Sequence, residues 1–461
     1  MTTVTRSWPL QVILADLIEG SVGREIAEGR KVDIFHCDHC DHVVFFDNTQ
    51  CVYCGHLLAF LPDLRRIGSL DPLDDGTWRL PPSTAHGQTY RQCANYVDQQ
   101  ICNWAVVGSD PQTLCLSCRL TRVIPDLALP EQHDAWYRLE AAKRRLVYTL
   151  LGMELPLVSK QDDPACGLAF DLLSDGPAPG VVPILTGHAE GVITVNIAEA
   201  DDAERERRRV QLHEPYRTVL GHFRHESGHY YWDRLIRDSP RLPAFRELFG
   251  DEQQDYAQAL RQHYESGPIA NWSERFVSAY AASHPWEDWA ETWAHYLHMT
   301  DTLETASGCG LSIRPHRSGE PQFRPLRSGG SSSTLFNRLI ESWFPLTYVL
   351  NNLNRGLGLQ DAYPFVLSTV AIDKLRFIHE TVAAVSTTRS SRRRRRAAPG
   401  GPEPQTTGEL ANESAEPISP SEPGVVPQMD GVDPPQDVVD SIGPPDAGAV
   451  LEQAIDQSHG G

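Results

Sequence analysis

Nowhere in this chain of 461 residues is there a run of eighteen or more apolar residues, so no membrane-spanning helix is expected. Residues 1–30 have scattered charges and lack the clean apolar core and cleavage site of a secretory signal, which points to a cytoplasmic, reducing compartment. From Ala397 to Gly461 there is no lysine or arginine and a dearth of aromatics, while twelve Asp or Glu stand among many Pro, Gly and Ser. Those twelve acids carry more than half of the net charge of −20. So charged a segment cannot bury enough apolar surface to offset its ordering entropy, and it is expected to be disordered. Just before it, Arg392–Arg396 reads as a solvated linker balanced by the acidic tail rather than as a nucleic-acid patch. No internal repeat is visible apart from a duplicated cysteine pattern.

That pattern is dense. Ten cysteines occur, and eight of them precede residue 119. Cys37 and Cys40, then Cys51 and Cys54, form two CxxC knuckles that together close a four-sulfur metal site. Cys93, Cys102, Cys115 and Cys118 form a second set with a looser front half and an intact CLSC knuckle. A reducing compartment favours metal over disulfides here. Zinc is the expected metal, with a rubredoxin-like iron centre as the alternative. Cys166 and Cys309 are left as free thiols. The knuckles are flanked by Asp33, Asp38, Asp41 and Asp47 rather than by Lys and Arg, so nucleic acid is not the expected partner. A protein partner or a purely structural role fits the ribbon region better.

The strongest single motif is His225-Glu226-Ser227-Gly228-His229, which reads HExxH inside a proline-poor stretch from Glu214 to Ile236. Positions i and i+4 of a helix share a face, so His225 and His229 can hold one metal ion together. Glu226 lies one step round, placed to act as general base on a metal-bound water. Asp233, four residues past His229, is a candidate to orient an imidazole from behind. A catalytic zinc site needs a third protein ligand. The next strong helix, His284 to His298, offers one: Trp286, Trp289, Ala290, Trp293 and Leu297 share one face, and Glu287, Glu291, His295 and His298 share the other. Glu291, near the middle of that face, is the preferred ligand, with Glu287 one turn earlier behind it or in exchange for it. His284, Tyr280 and His295 are candidates to stabilise a developing oxyanion.

HFRHESGHYYWDRL followed by HPWEDWAETWAHYLH resembles the zinc-binding metallopeptidases that carry an N-terminal zinc ribbon, found mostly in bacteria. The segment from Ala290 to Asp301 is also similar to the ligand helix of anthrax lethal-factor-like peptidases, which are glutamate zincins. The resemblance covers most of residues 31–385. It implies peptide-bond hydrolysis, zinc bound by the glutamate after an alanine (here Glu291), and an oxyanion-stabilising tyrosine shortly before it. His284 occupies the position that lines up with that tyrosine, and Tyr280 lies a turn earlier.

Elsewhere, Gly191 to Asp201 alternates as a half-buried strand, either an exposed edge able to bind substrate by strand addition or an interior hairpin strand. His133 to Leu151 reads helical, with a basic patch at Lys143, Arg144 and Arg145. Ser307 to Ser333 reads as a loop next to the ligand helix. Helices follow from Leu335 to about Leu353 and from Asp361 to about Ala384, kinked or delimited by Pro345 and Pro364. The expectation is an α+β protein: an N-terminal extension over residues 1–30, a small β-rich zinc-ribbon region over 31–128, a zincin-like metallopeptidase domain over 129–388, and a disordered arginine-run and acidic tail over 389–461. The expected cofactors are one catalytic zinc and one or two structural zincs, and the expected substrate is a peptide or protein. The alternative is a zinc-ribbon interaction protein whose zincin-like domain binds a partner with little turnover.

Overall fold

Two knuckles of the same geometry begin the structure, a computed structural model that describes residues 34–81, 87–175, 184–211, 214–317, 319–324 and 331–397. In each knuckle the first cysteine's amide bonds a carbonyl five residues on, and its carbonyl accepts from the amide four residues on: Cys37 with His42 and Asp41, Cys51 with His56 and Gly55. The turn forces the residue after the second cysteine to positive φ, 61° at Asp41 and 75° at Gly55. Gly and Asp are among the few residues that tolerate this conformation. The expectations for residues 1–30 and for the acidic tail lie outside the described residues.

β1 (Phe35–His36) and β2 (Val43–Val44) pair across the first knuckle. A five-stranded antiparallel meander follows: β3 (Leu57–Leu61), β4 (Arg66–Pro72), β5 (Trp78–Arg79), β6 (Thr89–Gln92) and β7 (Ala105–Val107), in that order. A bridge between Phe60 and Trp104 draws its two ends together. The short α1 (Ala94–Val97) lies between β6 and β7 and follows Cys93 directly.

α2 (Pro130–Gly152) is the spine on which both halves pack. Tyr148 sets its ring edge-on against Phe35, Phe46 and Phe60 of the cysteine-rich half. One continuous apolar core runs from the buried cysteines through α2 to the later helices. The basic patch expected on this helix does not form. Lys143 and Arg144 are buried, Lys143 against Glu140 and Thr121, and only Arg145 faces solvent, over the Phe46 ring. The spacing of the three residues did not reveal that the helix is covered on two sides.

A second sheet has the order β10-β11-β9-β8, where β8 is Thr121–Val123, β9 Ala169–Leu173, β10 Gly187–Ala189 and β11 Val192–Asn196. β11 pairs with β10 on one side and β9 on the other, so the strand expected in Gly191 to Asp201 is interior. Among the described residues the edge strands of this sheet are β10 and β8. Then come α3 (Asp202–Gln211), α4 (Val219–Leu235), α5 (Leu242–Phe249), α6 (Tyr256–Ser266), α7 (Pro285–Gly308), α8 (Ser332–Gly356) and α9 (Thr369–Ala397). The fold is mixed α+β, as expected. Pro345 sits inside α8. α9 starts later than expected and continues through Arg392–Arg396, so the arginine run stands on helical backbone. α7 also runs ten residues past His298, so the loop after it begins about 30 Å along the helix from Glu287. No helix among the described residues is long and apolar enough to cross a membrane.

Candidate metal centre

α4 carries HExxH and starts five residues later than the sequence suggested, because Thr218 caps it by accepting from the Gly221 amide and Pro215 stays outside. α7 crosses it at close range. A Cβ built on Gly228 would stand 2.8 Å from the Ala290 Cα, a separation that real side chains do not occupy. Here the second x of HExxH is a packing residue. Two indoles fasten the crossing: Trp289 donates to the Gly228 carbonyl at 2.8 Å and Trp293 to Ser227 Oγ at 3.1 Å. Gly228→Ala should push the helices apart and cost about 1–3 kcal/mol of stability. Thermal unfolding will show this as a lowered midpoint together with lost metal retention.

The crossing brings α7's acids to the two imidazoles in the exchanged order, the less favoured of the two that the sequence offered. Glu291, the preferred third ligand, accepts from His225 Nδ1 at 2.7 Å and from Ser278 Oγ at 2.6 Å. Glu287 faces the other side of the ring: its Oε2 lies 3.0 Å from His225 Nε2 and its Oε1 3.5 Å from His229 Nε2. The reason is helical phase. At the point of crossing, one turn of α7 separates the residue that reaches the Nε2 edge from the residue that reaches the Nδ1 edge.

His225 Nε2 and His229 Nε2 are 3.2 Å apart. With Glu287 they offer ligand atoms that all lie within 4.8 Å of one another. Tetrahedral zinc with bonds of about 2.05 Å would separate neighbouring nitrogens by about 3.3 Å, close to what is found. With a proton kept on Nδ1 towards Glu291, His225 would present its Nε2 lone pair to a metal, and the buried Glu287 Oε2 stands 3.0 Å from that same nitrogen. The donor set therefore fits a dication. Burial opposes charge on His225, but Glu287 and Glu291 overcome it and hold this imidazole well above its ordinary pKa. Burial likewise opposes ionised Glu287, and the two histidines outweigh it.

Glu226 is 8% exposed and bonds no described side chain, which leaves its carboxylate free. Sequence reasoning missed Tyr256, which donates to Glu287 Oε1 at 2.6 Å, as well as Ser278 and His188. His188, on the edge strand β10, stacks on His229 with ring centroids 6.4 Å apart. None of the three belongs to a periodic pattern with the motif, so no sequence signal marked them.

Other expected residues fall elsewhere. His284 caps α7: its Nδ1 accepts from the Trp286 amide and its Nε2 donates to the Gln254 carbonyl, so neither nitrogen is available to an oxyanion. His295 is buried against the Tyr363 hydroxyl at 2.6 Å, its pKa pushed down to about 4 by burial. Asp233 pairs with Arg237 one turn on, not with an imidazole. Tyr280 lies beside His225, with ring centroids 6.0 Å apart.

The cysteines assemble as expected. Cys37, Cys40, Cys51 and Cys54 form one group and Cys93, Cys102, Cys115 and Cys118 a second. Sulfur–sulfur distances of 3.6, 3.6 and 3.7 Å approach the roughly 3.8 Å of a tetrahedral zinc tetrathiolate. His39 and His56 also lie near Cys54, sharing its thiol with the first group. Cys166 and Cys309 are free and exposed.

A family model described as a putative zinc-binding metallo-peptidase matches residues 132–381, and a zinc-ribbon domain matches residues 34–129. This chain belongs to that metallo-peptidase family. Proteins of Mycobacterium bovis and Mycobacterium tuberculosis, described as uncharacterized, are 44% identical to it over 353 residues, covering 76% of this chain and 96% of theirs. No solved structure matches. In this member of the family the boundary between the two matches falls at the start of α2. Both four-cysteine groups lie in the ribbon, and the histidine pair and both glutamates lie in the peptidase segment. Zinc is the metal that the family and the four-cysteine groups support.

Proposed function

We propose that the chain hydrolyses peptide bonds with a zinc held by His225, His229 and Glu287, and with Glu226 as general base. The observation that carries this reading is the convergence of two imidazole nitrogens and a carboxylate oxygen, all within 4.8 Å of one another. Zinc bound there would supply an acidified water and a polarised carbonyl. Glu226, free of other partners, takes the proton from the attacking water and delivers it to the leaving amine. Glu291 fixes the tautomer and plane of His225 through Nδ1. Tyr256 occupies Glu287 Oε1, which would leave Oε2 for a metal.

The role of oxyanion donor goes to Tyr280. Burial, reinforced by the charge of Glu287, holds its hydroxyl well above the usual phenol range, so it keeps its proton at neutral pH. Tyr280→Phe should lower kcat by about 10²–10³-fold, with zinc content unchanged. Steady-state kinetics beside metal analysis tests this, and a variant with wild-type kcat removes Tyr280 from the mechanism. The free edge of β10, held against the site by His188, is the place where an extended peptide can add as a strand.

A further inference from the structure

The two four-cysteine groups differ in a way their spacing does not show. In the first, Cys40 and Cys54 reach solvent. The second is sealed: Cys93, Cys102, Cys115 and Cys118 are 0%, 2%, 0% and 1% exposed. Four thiolates around a divalent ion carry a net charge of about −2, which is costly in a dry interior without compensation. Three amides supply part of it, with Trp104, Cys115 and Cys118 donating to the sulfurs of Cys102, Cys93 and Cys115 at 3.3–3.4 Å.

A full cation lies there as well. Arg144 of α2 is 1% exposed, and its Nη1 donates at 2.6 Å to the carbonyl of Ile101, the residue before Cys102. Its Nε has no partner. Glu140, the nearby acid, supplies part of the balancing charge: its Oε1 is held by Lys143 and Thr121, while its buried Oε2 has no partner. The negative charges that act on Arg144 are those of Cys102, then Glu140, then Cys118 and Cys115, so three of the four belong to the cysteine centre. A guanidinium does not shed its proton in a protein, so once buried it needs an anion.

We propose that Arg144 is the counter-ion of the metal-loaded Cys93–Cys102–Cys115–Cys118 centre, so that this metal clamps the ribbon to the peptidase domain. The cysteines belong to the ribbon segment and Arg144 to the peptidase segment, so each half of the charge balance is supplied by a different domain. Emptying the centre leaves a cation stranded in the core. The strain has a path to the HExxH helix: α2 also carries Thr149, which donates to Asp301 of α7, and Asp301 pairs with Arg224 beside His225.

The test uses the full chain as wild type, Arg144→Met and Arg144→Lys. Each is challenged with EDTA and N-ethylmaleimide, and labelling of each cysteine is followed by peptide mass spectrometry. Arg144→Met should speed labelling of the four cysteines of the second centre by about 10–100-fold, with Arg144→Lys in between and Cys37 and Cys51 unchanged. In a background carrying Cys115→Ser and Cys118→Ser, adding Arg144→Met should raise the thermal midpoint, because the stranded charge is gone. Unaltered labelling overturns the proposal. So does equal acceleration at Cys37 and Cys51, or a further drop in midpoint in the Ser background. None of these readouts depends on peptidase turnover.

Discussion

Glu226→Gln should reduce peptide hydrolysis by about 10²–10⁴-fold while leaving bound zinc and the thermal midpoint as they are. Gln has nearly the same shape, and Glu226 bonds no described side chain, so nothing in the packing depends on its charge. The variant loses only the capacity to accept a proton from water. Cleavage of a complex peptide mixture, read by mass spectrometry for wild type and variant together, is the measurement. Equal cleavage by both would remove the base and leave the chain as a zinc-ribbon interaction protein with a zincin-like binding domain.

Glu287→Ala and Glu291→Ala should separate sharply in a metal count. Wild type is expected to hold three zinc ions per chain, one in each four-cysteine group and one between the imidazoles. Glu287→Ala removes the carboxylate that faces both Nε2 atoms and should lower the count to two. Glu291→Ala removes the acceptor behind His225 and should keep three ions with about 10–100-fold weaker affinity at one of them. The reverse outcome would restore Glu291 as the ligand. Activity should vanish in Glu287→Ala and persist at a reduced level in Glu291→Ala when zinc is in excess.

The structure also connects the centre to distant parts of the chain through buried charge. Lys374 of α9 reaches Asp288, the neighbour of Glu287, at 2.6 Å, with both residues sealed from solvent. Burial pushes the Asp288 carboxyl up to about 7 in spite of Lys374, and pushes Lys374 down in spite of Asp288. Glu199, which precedes α3, is buried against Arg217 and Arg208 and stands 3.3 Å from His222 on the HExxH helix. Burial would raise its pKa, yet His222 and Arg217 bring it down to about 2. His222 thus belongs to a network of polar contacts that braces α4 and is not a third histidine at the metal site.

Local chemistry determined much of this protein. CxxC spacing grouped the first four cysteines because a knuckle turn is a property of a few consecutive residues. HExxH paired His225 with His229 because one helical turn does so wherever the helix lies. The alternation of Ile193 and Val195 with Thr194 gave a strand, and the tryptophan face of α7 gave a buried helix. The tertiary structure decided what depends on how elements meet. It set Glu287 and not Glu291 across from the Nε2 atoms, because the choice rests on the depth and phase of a helix crossing fixed by Gly228 against Ala290. It made His284 a cap, buried Arg144 beside the second cysteine group, and decided between edge and interior for β11 in favour of interior. Periodicity specifies the face on which a side chain lies, but what lies opposite that face is settled only when the elements pack.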